Sequence, residues 1–382
     1  MARREGWTAM GIYVGIDLGS TTLSGVVLDP ATREVVTQET VPNEAEVTST
    51  EDRERDRSEW DLERMVESAL ALIGRLASGR RIEAVGVTGQ QHGMALLDRL
   101  GTPVSPFIGW QDRRCNEPLS DGRTTVQRML EQGGEMFRRS GCVPATGYMA
   151  STLFWLVQRG ELPAKAVACF APDHLVGRLC GKDAITDPTL AASAGVFDVE
   201  RGEWNAELVE VLGLPLGCLP EVRTPCTRAG GLSRDAAALT GLPEGTPVAT
   251  PCGDNQASFA GSVGDPARSV LVNIGTGGQT SVYVEQALFV EGLDLRPFLQ
   301  PGFLLVGAGL AGGRSYRMLR DFVREIGRQL FGIEDLPNLY ERLTQLAVDA
   351  PAGCDGLTCE PIFAGTRHEP DRRAVWRGMS EE

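Results

Sequence analysis

The sequence predicts an α/β protein of two domains with mixed sheets, and three observations carry that expectation. Its 382 residues exceed the roughly 150 that usually make one domain. Short β-branched runs alternate with stretches of helical periodicity instead of segregating into blocks. A strand–turn–strand pattern near the start, VGIDLGSTTLSGVVL from Val14, recurs as VNIGTGGQTSVYV from Val272. Such self-similarity predicts two units of related architecture facing each other across a cleft.

Taken in order, Ile12 to Asp29 (IYVGIDLGSTTLSGVVLD) places two β-branched runs around a polar turn and predicts a β-hairpin with an enlarged turn. The charged stretch Asn43 to Arg57 reads as solvated loop. Ser58 with Asp61 forms an S-x-x-D start signal, after which Leu62, Met65, Val66, Ala69, Leu70, Ile73 and Leu76 repeat at helical spacing. IEAVGVTGQQHGMALLD, Ile82 to Asp98, reads as strand, Gly-bounded polar turn and strand, and residues 175–235 as linker-rich helices and turns. A second strand block begins at Pro247 with VATPCGDNQASFAG, continues as SVLVNIGTGGQTSVYV and then FLLVGAGLAGG. Helices are predicted over Ser315–Leu330, with Met318, Leu319, Phe322, Val323 and Ile326 on one face, and after Pro337. The expected division is an extension over 1–11, a first domain over 12–246 and a second over 247–382.

Composition narrows the function classes. Hydrophobic residues make up 42% and charged residues 23%, enough apolar material for sizeable cores. With 37 Lys plus Arg against 51 Asp plus Glu, a net charge of -14 opposes a nucleic acid backbone or an anionic leaflet, so a small-molecule substrate is expected, with no nucleic acid and no membrane partner. An anionic substrate then needs a local cradle of backbone N–H groups and a metal ion. Met1 to Met10 lacks the apolar run of a targeting signal. The nine cysteines (Cys115, Cys142, Cys169, Cys180, Cys218, Cys226, Cys252, Cys354 and Cys359) are scattered and never spaced C-x-x-C, which fits reduced thiols in a cytoplasm. His92, His174 and His368 are too far apart in sequence for a local metal motif.

The turns at Gly19–Thr22 and Gly275–Gly278 offer successive N–H groups and hydroxyls without bulky side chains, a concavity that suits phosphate oxygens; each alone reads equally as an ordinary hairpin turn. Asp17, in the strand before the first turn, reads as a cap or as a ligand of Mg2+ or its water shell. Gly253-Asp254-Asn255 is a bare turn by itself. Just ahead of the second Gly-rich hairpin, it gains a second reading as the carboxylate that takes a hydroxyl proton in phosphoryl transfer. Neither GxxxxGK[ST] nor a protein-kinase glycine loop is present.

GIDLGSTTLSGVVLD, GVTGQQHGMALLD, IGWQDRR, PCGDNQASFAG, NIGTGGQTSVYV and PIFAGTRHEPDRRAVWRG, in that order over about residues 12 to 379, resemble the FGGY carbohydrate kinases of the actin, Hsp70 and sugar kinase superfamily. GQQHGMALLD and WQDRR are most similar to the xylulokinase and sedoheptulokinase branch. The resemblance implies two ribonuclease-H-like, actin-like ATPase domains with a cleft between them, and ATP-dependent phosphorylation of a primary hydroxyl on a ketose or polyol. It implies Asp254 as the catalytic base and Asp17 as the carboxylate holding Mg2+ through water. It assigns Gly19, Ser20, Thr21 and Thr22 to one phosphate hairpin, Gly275, Thr276, Gly277 and Gly278 to the other, and Gln91, His92, Trp110, Asp112 and Asn255 to the sugar. His92 reads alternatively as a satisfied turn histidine and Trp110 as core. Pro251 and Cys252 stand where the family usually has glycines, so a tighter turn before Asp254 is expected. The family continues beyond its Arg-Gly element, here Arg377 and Gly378, into an adenosine motif, so an incomplete second domain is expected. A non-catalytic sugar-binding remnant therefore stands as the alternative, and the resemblance leaves room for a homodimer. An Hsp70-like or actin-like ATPase is opposed by GQQHG and WQDRR, which have no task there.

Overall fold

The computed structural model describes residues 11–275, 277–363 and 372–380. The chain divides into two compact units, Met1–Ala267 with Tyr283–Leu305, and Arg268–Val282 with Val306–Glu382.

In the first unit, β1 (Ile12–Leu18) and β2 (Thr22–Asp29) form the expected hairpin, extended by β3 (Glu34–Pro42). The charged segment that follows is not all loop: Thr50–Glu54 forms a short helix, α1, because Ser49 accepts the Asp52 N–H and Glu51 and Asp52 sit at its positive end. Helix α2 (Leu62–Ala77) carries the predicted apolar face, buried at Leu62, Met65, Val66, Ala69, Leu70, Ile73 and Leu76. Its cap is Asp61, whose side chain accepts the Arg64 N–H, not Ser58, whose own N–H is drawn to Asp112. Strand β4 (Ile82–Gly89) then lies parallel to β1. The next strand, Ala95–Leu97, leaves this sheet and pairs antiparallel with Val167–Cys169.

The sheet closes with β5 (Arg228–Gly231), β6 (Pro247–Ala249) and β7 (Cys252–Gly253), in the order β5-β6-β4-β1-β2-β3, with β7 also pairing β4. It is a mixed sheet: β6 and β7 run parallel to β4, and β4 parallel to β1, while its other neighbours are antiparallel. In place of a tighter turn before Asp254, Cys252 and Gly253 continue as a short parallel ladder along β4, opposite Thr88 and Gly89. One hydrophobic cluster joins this sheet to α2 through Val14, Ile16, Leu23, Ile73 and Val85. A second gathers around the helix Met149–Arg159 through Met149, Leu153 and Phe154. Each such side chain contributes about 1.5–3 kcal/mol on burial.

The second unit holds the other Gly-rich hairpin, β8 (Val270–Ile274) and β9 (Gly277–Val284), with Ile274 opposite Gly278. The division between units falls inside β9 and inside a later strand, Phe303–Ala311. Gly275 donates to the Gly277 carbonyl at 2.9 Å, and Thr276 lies outside the described residues. A Cβ at Gly312 would stand 2.4 Å from the Gly277 oxygen, so the GAGLAGG run is glycine there because it backs directly onto the hairpin. The helices Gly313–Phe331 and Leu339–Asp349 follow. No helix among the described residues is long and apolar enough to cross a membrane.

Candidate functional site

The first unit brings the predicted residues together through strand register. Asp17 of β1 pairs with Thr88 of β4, and Thr88 with Cys252 of β7; one residue on, Leu18, Gly89 and Gly253 form the next row. Three parallel strands therefore end side by side, and the chain segments leaving them carry Gly19–Thr22, Gln90–His92 and Asp254–Asn255. The carboxyl ends of parallel strands are where α/β sheets present ligands, since side chains of several segments converge there.

Asp254 is the first residue of a helix, Asp254–Ser262, and accepts hydrogen bonds from the N–H groups of Asn255, at 2.7 Å, and Gln91. Its carboxyl is nonetheless pushed up to about 6, chiefly by burial and secondarily by the negative charge of Asp17, against the pull of those N–H groups and of the Arg296 guanidinium. Burial also raises Asp17, whose Oδ1 is sealed from solvent and has no hydrogen-bond partner among the described residues. Two half-buried carboxylates, both raised by burial and one also by the other's charge, with an orphaned oxygen on Asp17, form a site that a cation would relieve. The described residues contain no cluster of three or more His, Cys, Asp or Glu, so any ion here must draw most of its ligands from water or substrate. That is the habit of Mg2+, which keeps several waters and binds one or two carboxylates together with phosphate.

Gln91 is buried and held at both ends of its amide: Nε2 donates to the Thr189 carbonyl at 2.8 Å, and Oε1 accepts from Arg296 Nη1 at 2.7 Å. Gly253 leaves room for these amides: a Cβ there would lie 2.6 Å from Gln91 Nε2 and 2.8 Å from Gln256 Oε1, so both would have to shift. His92 has φ 63°, its N–H and ring Nδ1 meet the hydroxyl and carbonyl of Ser193, and its ring lies 4.0 Å from that of Tyr148. It is thus a pinned turn histidine that still neighbours Gln91. Trp110 is 42% exposed, and its indole N–H donates to Ser20 Oγ at 3.0 Å while Ser20 donates to Gln90 Oε1 at 2.8 Å, so it is not core and reaches the first Gly-rich turn. Thr21 and Thr22 are exposed in that turn, and Gly19 donates to the Thr22 carbonyl. Asn255 is buried beside Asp254.

Asp112 behaves differently. It is fully buried, and its two oxygens accept from the Ser58 N–H and from the backbone N–H, Nε and Nη2 of Arg114. Gly275, Gly277 and Gly278 belong to the second unit's hairpin, described above. Two participants escape sequence reasoning altogether. Arg296 lies in a strand, Asp294–Pro297, with no motif around it, and Thr189 in a segment that reads as linker; only tertiary structure brings them to Gln91.

Comparison with known proteins gives three findings. Residues 12–261 match the family described as "FGGY family of carbohydrate kinases, N-terminal domain". The chain is 27% identical to a xylulose kinase of Haemophilus influenzae over 375 residues, 94% of this chain and 71% of that protein, and 27% identical to a sedoheptulokinase of Mus musculus, covering 95% and 79%. The crystal structure of a xylulose kinase from Rhodospirillum rubrum superimposes with a TM-score of 0.81 at 25% identity, over 97% of this chain and 73% of the other.

Proposed function

Because the chain belongs to the FGGY family of carbohydrate kinases, we propose that it transfers the terminal phosphoryl group of ATP to a primary hydroxyl of a ketose or polyol of the sedoheptulose or xylulose kind, with Asp254 as the base. The observation that supports this most is the Asp17–Asp254 pair at the ends of the two strands that flank β4, one acid poised near neutrality and the other with a bare oxygen. A phosphoryl group in transfer has little covalent need of the protein, so alignment and charge neutralisation are the tasks left to these residues. Asp254 accepts and aligns the sugar hydroxyl: with a pKa of about 6 it is mostly ionised at pH 7 yet basic enough to take the proton as the new P–O bond forms. Asp17 would hold Mg2+ through its water shell. Such an ion, bound with the nucleotide, supplies positive charge to the phosphate oxygens.

Gly19, Ser20, Thr21 and Thr22 form the phosphate cradle of the first unit. Gly275, Thr276, Gly277 and Gly278 are assigned the same chemistry in the hairpin of the second. Gln91, His92 and Asn255 meet sugar hydroxyls, and the exposed face of Trp110 covers C–H surface. Asp112, with both oxygens committed, takes the task of holding the 110–114 loop in place. The experiment is sugar-dependent ADP release over a panel of xylulose, sedoheptulose, ribulose, gluconate and glycerol, with Asp254→Asn as comparison. Turnover with one ketose, reduced at least about 1,000-fold in the variant, is expected for loss of a base that also aligns the acceptor. Ketose binding without turnover in the unaltered chain would overturn the kinase reading in favour of a binding protein.

A further inference from the structure

Thr189 is fully buried and bonds to Gly253, which precedes Asp254, and to Gln91, whose backbone N–H bonds to the Asp254 carboxylate. Its hydroxyl has a single proton, and the nearest acceptor for it is Asp187 Oδ1 at 2.6 Å, an oxygen that also collects the N–H groups of Thr189 and Leu190 at 3.0 and 3.1 Å. With the proton directed there, the hydroxyl oxygen faces the other way only as an acceptor, and the Gly253 N–H donates to it at 2.8 Å. The Thr189 carbonyl meanwhile accepts Gln91 Nε2, and the Gln91 N–H donates to the Asp254 carboxylate. One residue thus fixes the Cys252–Gly253 peptide, one residue ahead of Asp254, and the side chain of the residue whose backbone N–H bonds to the Asp254 carboxylate. The Gln91 and Gln256 amides pack closely against Gly253, on the side where a Cβ would stand.

We infer that Thr189, oriented by Asp187, is the positioning residue that sets the direction of the Asp254 carboxylate. The inference rests on the role proposed above for Asp254. Three full-length variants test it. Thr189→Val keeps the shape and removes the hydroxyl, Thr189→Ser keeps the hydroxyl, and Asp254→Asn is measured alongside. Removing the acceptor leaves the buried Gly253 N–H unpaired and loosens the segment that carries Asp254, so Thr189→Val is expected to lower kcat about 10- to 100-fold with the sugar KM changed less than about 3-fold. Thr189→Ser is expected to stay within about 3-fold of the parent in both. The Gly253 amide should exchange with solvent faster in Thr189→Val than in the parent, and at the parental rate in Thr189→Ser. Should the valine not fold, Thr189→Ala reads the same quantities. A Thr189→Val protein with parental kcat and parental Gly253 exchange, or a serine variant as impaired as the valine, overturns the inference. Undiminished turnover in Asp254→Asn would instead overturn the base assignment, and the Gly253 exchange rates would still decide whether Thr189 holds that peptide.

Discussion

At the scale of single residues, the electrostatics of Asp254 and Asp17 oppose stability. Burial, joined at Asp254 by the neighbouring charge, lifts each folded-state carboxyl above its ordinary value, so the protonated form is the one the fold favours. The sign follows: the stabilisation from a proton on Asp254 is complete below an unfolded value of about 4 and disappears as pH rises through about 6. On the role proposed for Asp254, activity runs the opposite way, because a base must be ionised. Sugar-dependent turnover is therefore expected to fall as pH is lowered through about 6, seen as an acid limb in the kcat profile. Asp254→Asn is expected to unfold at higher denaturant than the parent at pH 7, a gain of about 2 kcal/mol after allowance for partial exposure. A less stable variant would show that the carboxylate is better solvated than its surroundings suggest.

At the scale of elements, a lattice of ion pairs ties the 110–117 loop to the segment before α2. Arg114 meets Asp112 at 2.8 Å and Glu59 at 2.6 Å, and Arg57 meets Glu117 at 2.6 Å and Asp52 at 3.2 Å. Breaking a buried pair from one side strands the other charge, so Asp112→Ala is expected to cost about 3 kcal/mol in chemical denaturation, and the double change with Arg114→Met less than the sum of the two. Equal stability of Asp112→Ala and parent would return Asp112 to the sugar. How far the sequence discloses such arrangements depends on the range of the interaction. The β1–β2 hairpin and the apolar face of α2 are local patterns of period two and 3.6, and both are legible. Asp17 and Asp254 are legible only because a motif flanks each. Ser58 shows the limit: its S-x-x-D spacing is sound, but a buried carboxylate 54 residues away claims its N–H, and Asp61 caps the helix instead. Likewise Arg296 meets Gln91 across 205 residues, a separation at which no periodicity carries information.

At the scale of the whole molecule, the two units differ in how much apolar surface they bury. Both hydrophobic clusters lie in the first. In the second, among its described residues, Val306 is the one fully buried apolar side chain, while Val270, Val272 and Ile274 along β8 are 60%, 58% and 70% exposed. Opening free energy follows buried apolar contact, so backbone amides of Val306–Phe331 are expected to exchange at least about tenfold faster than those of β1 and β4, measured peptide by peptide by mass spectrometry. Uniform protection would mean that both units open as one. The first unit is also discontinuous: the chain leaves it at Ala267 and re-enters at Tyr283. The returning stretch brings Arg296 to Gln91 Oε1 and the Pro297 carbonyl to Gln256 Nε2. Anyone excising this unit at Ala267 would therefore discard two of the groups that brace its amide-rich interior. A self-sufficient piece would have to carry residues 283–305 as well, spliced on through a short linker in place of the excursion between them.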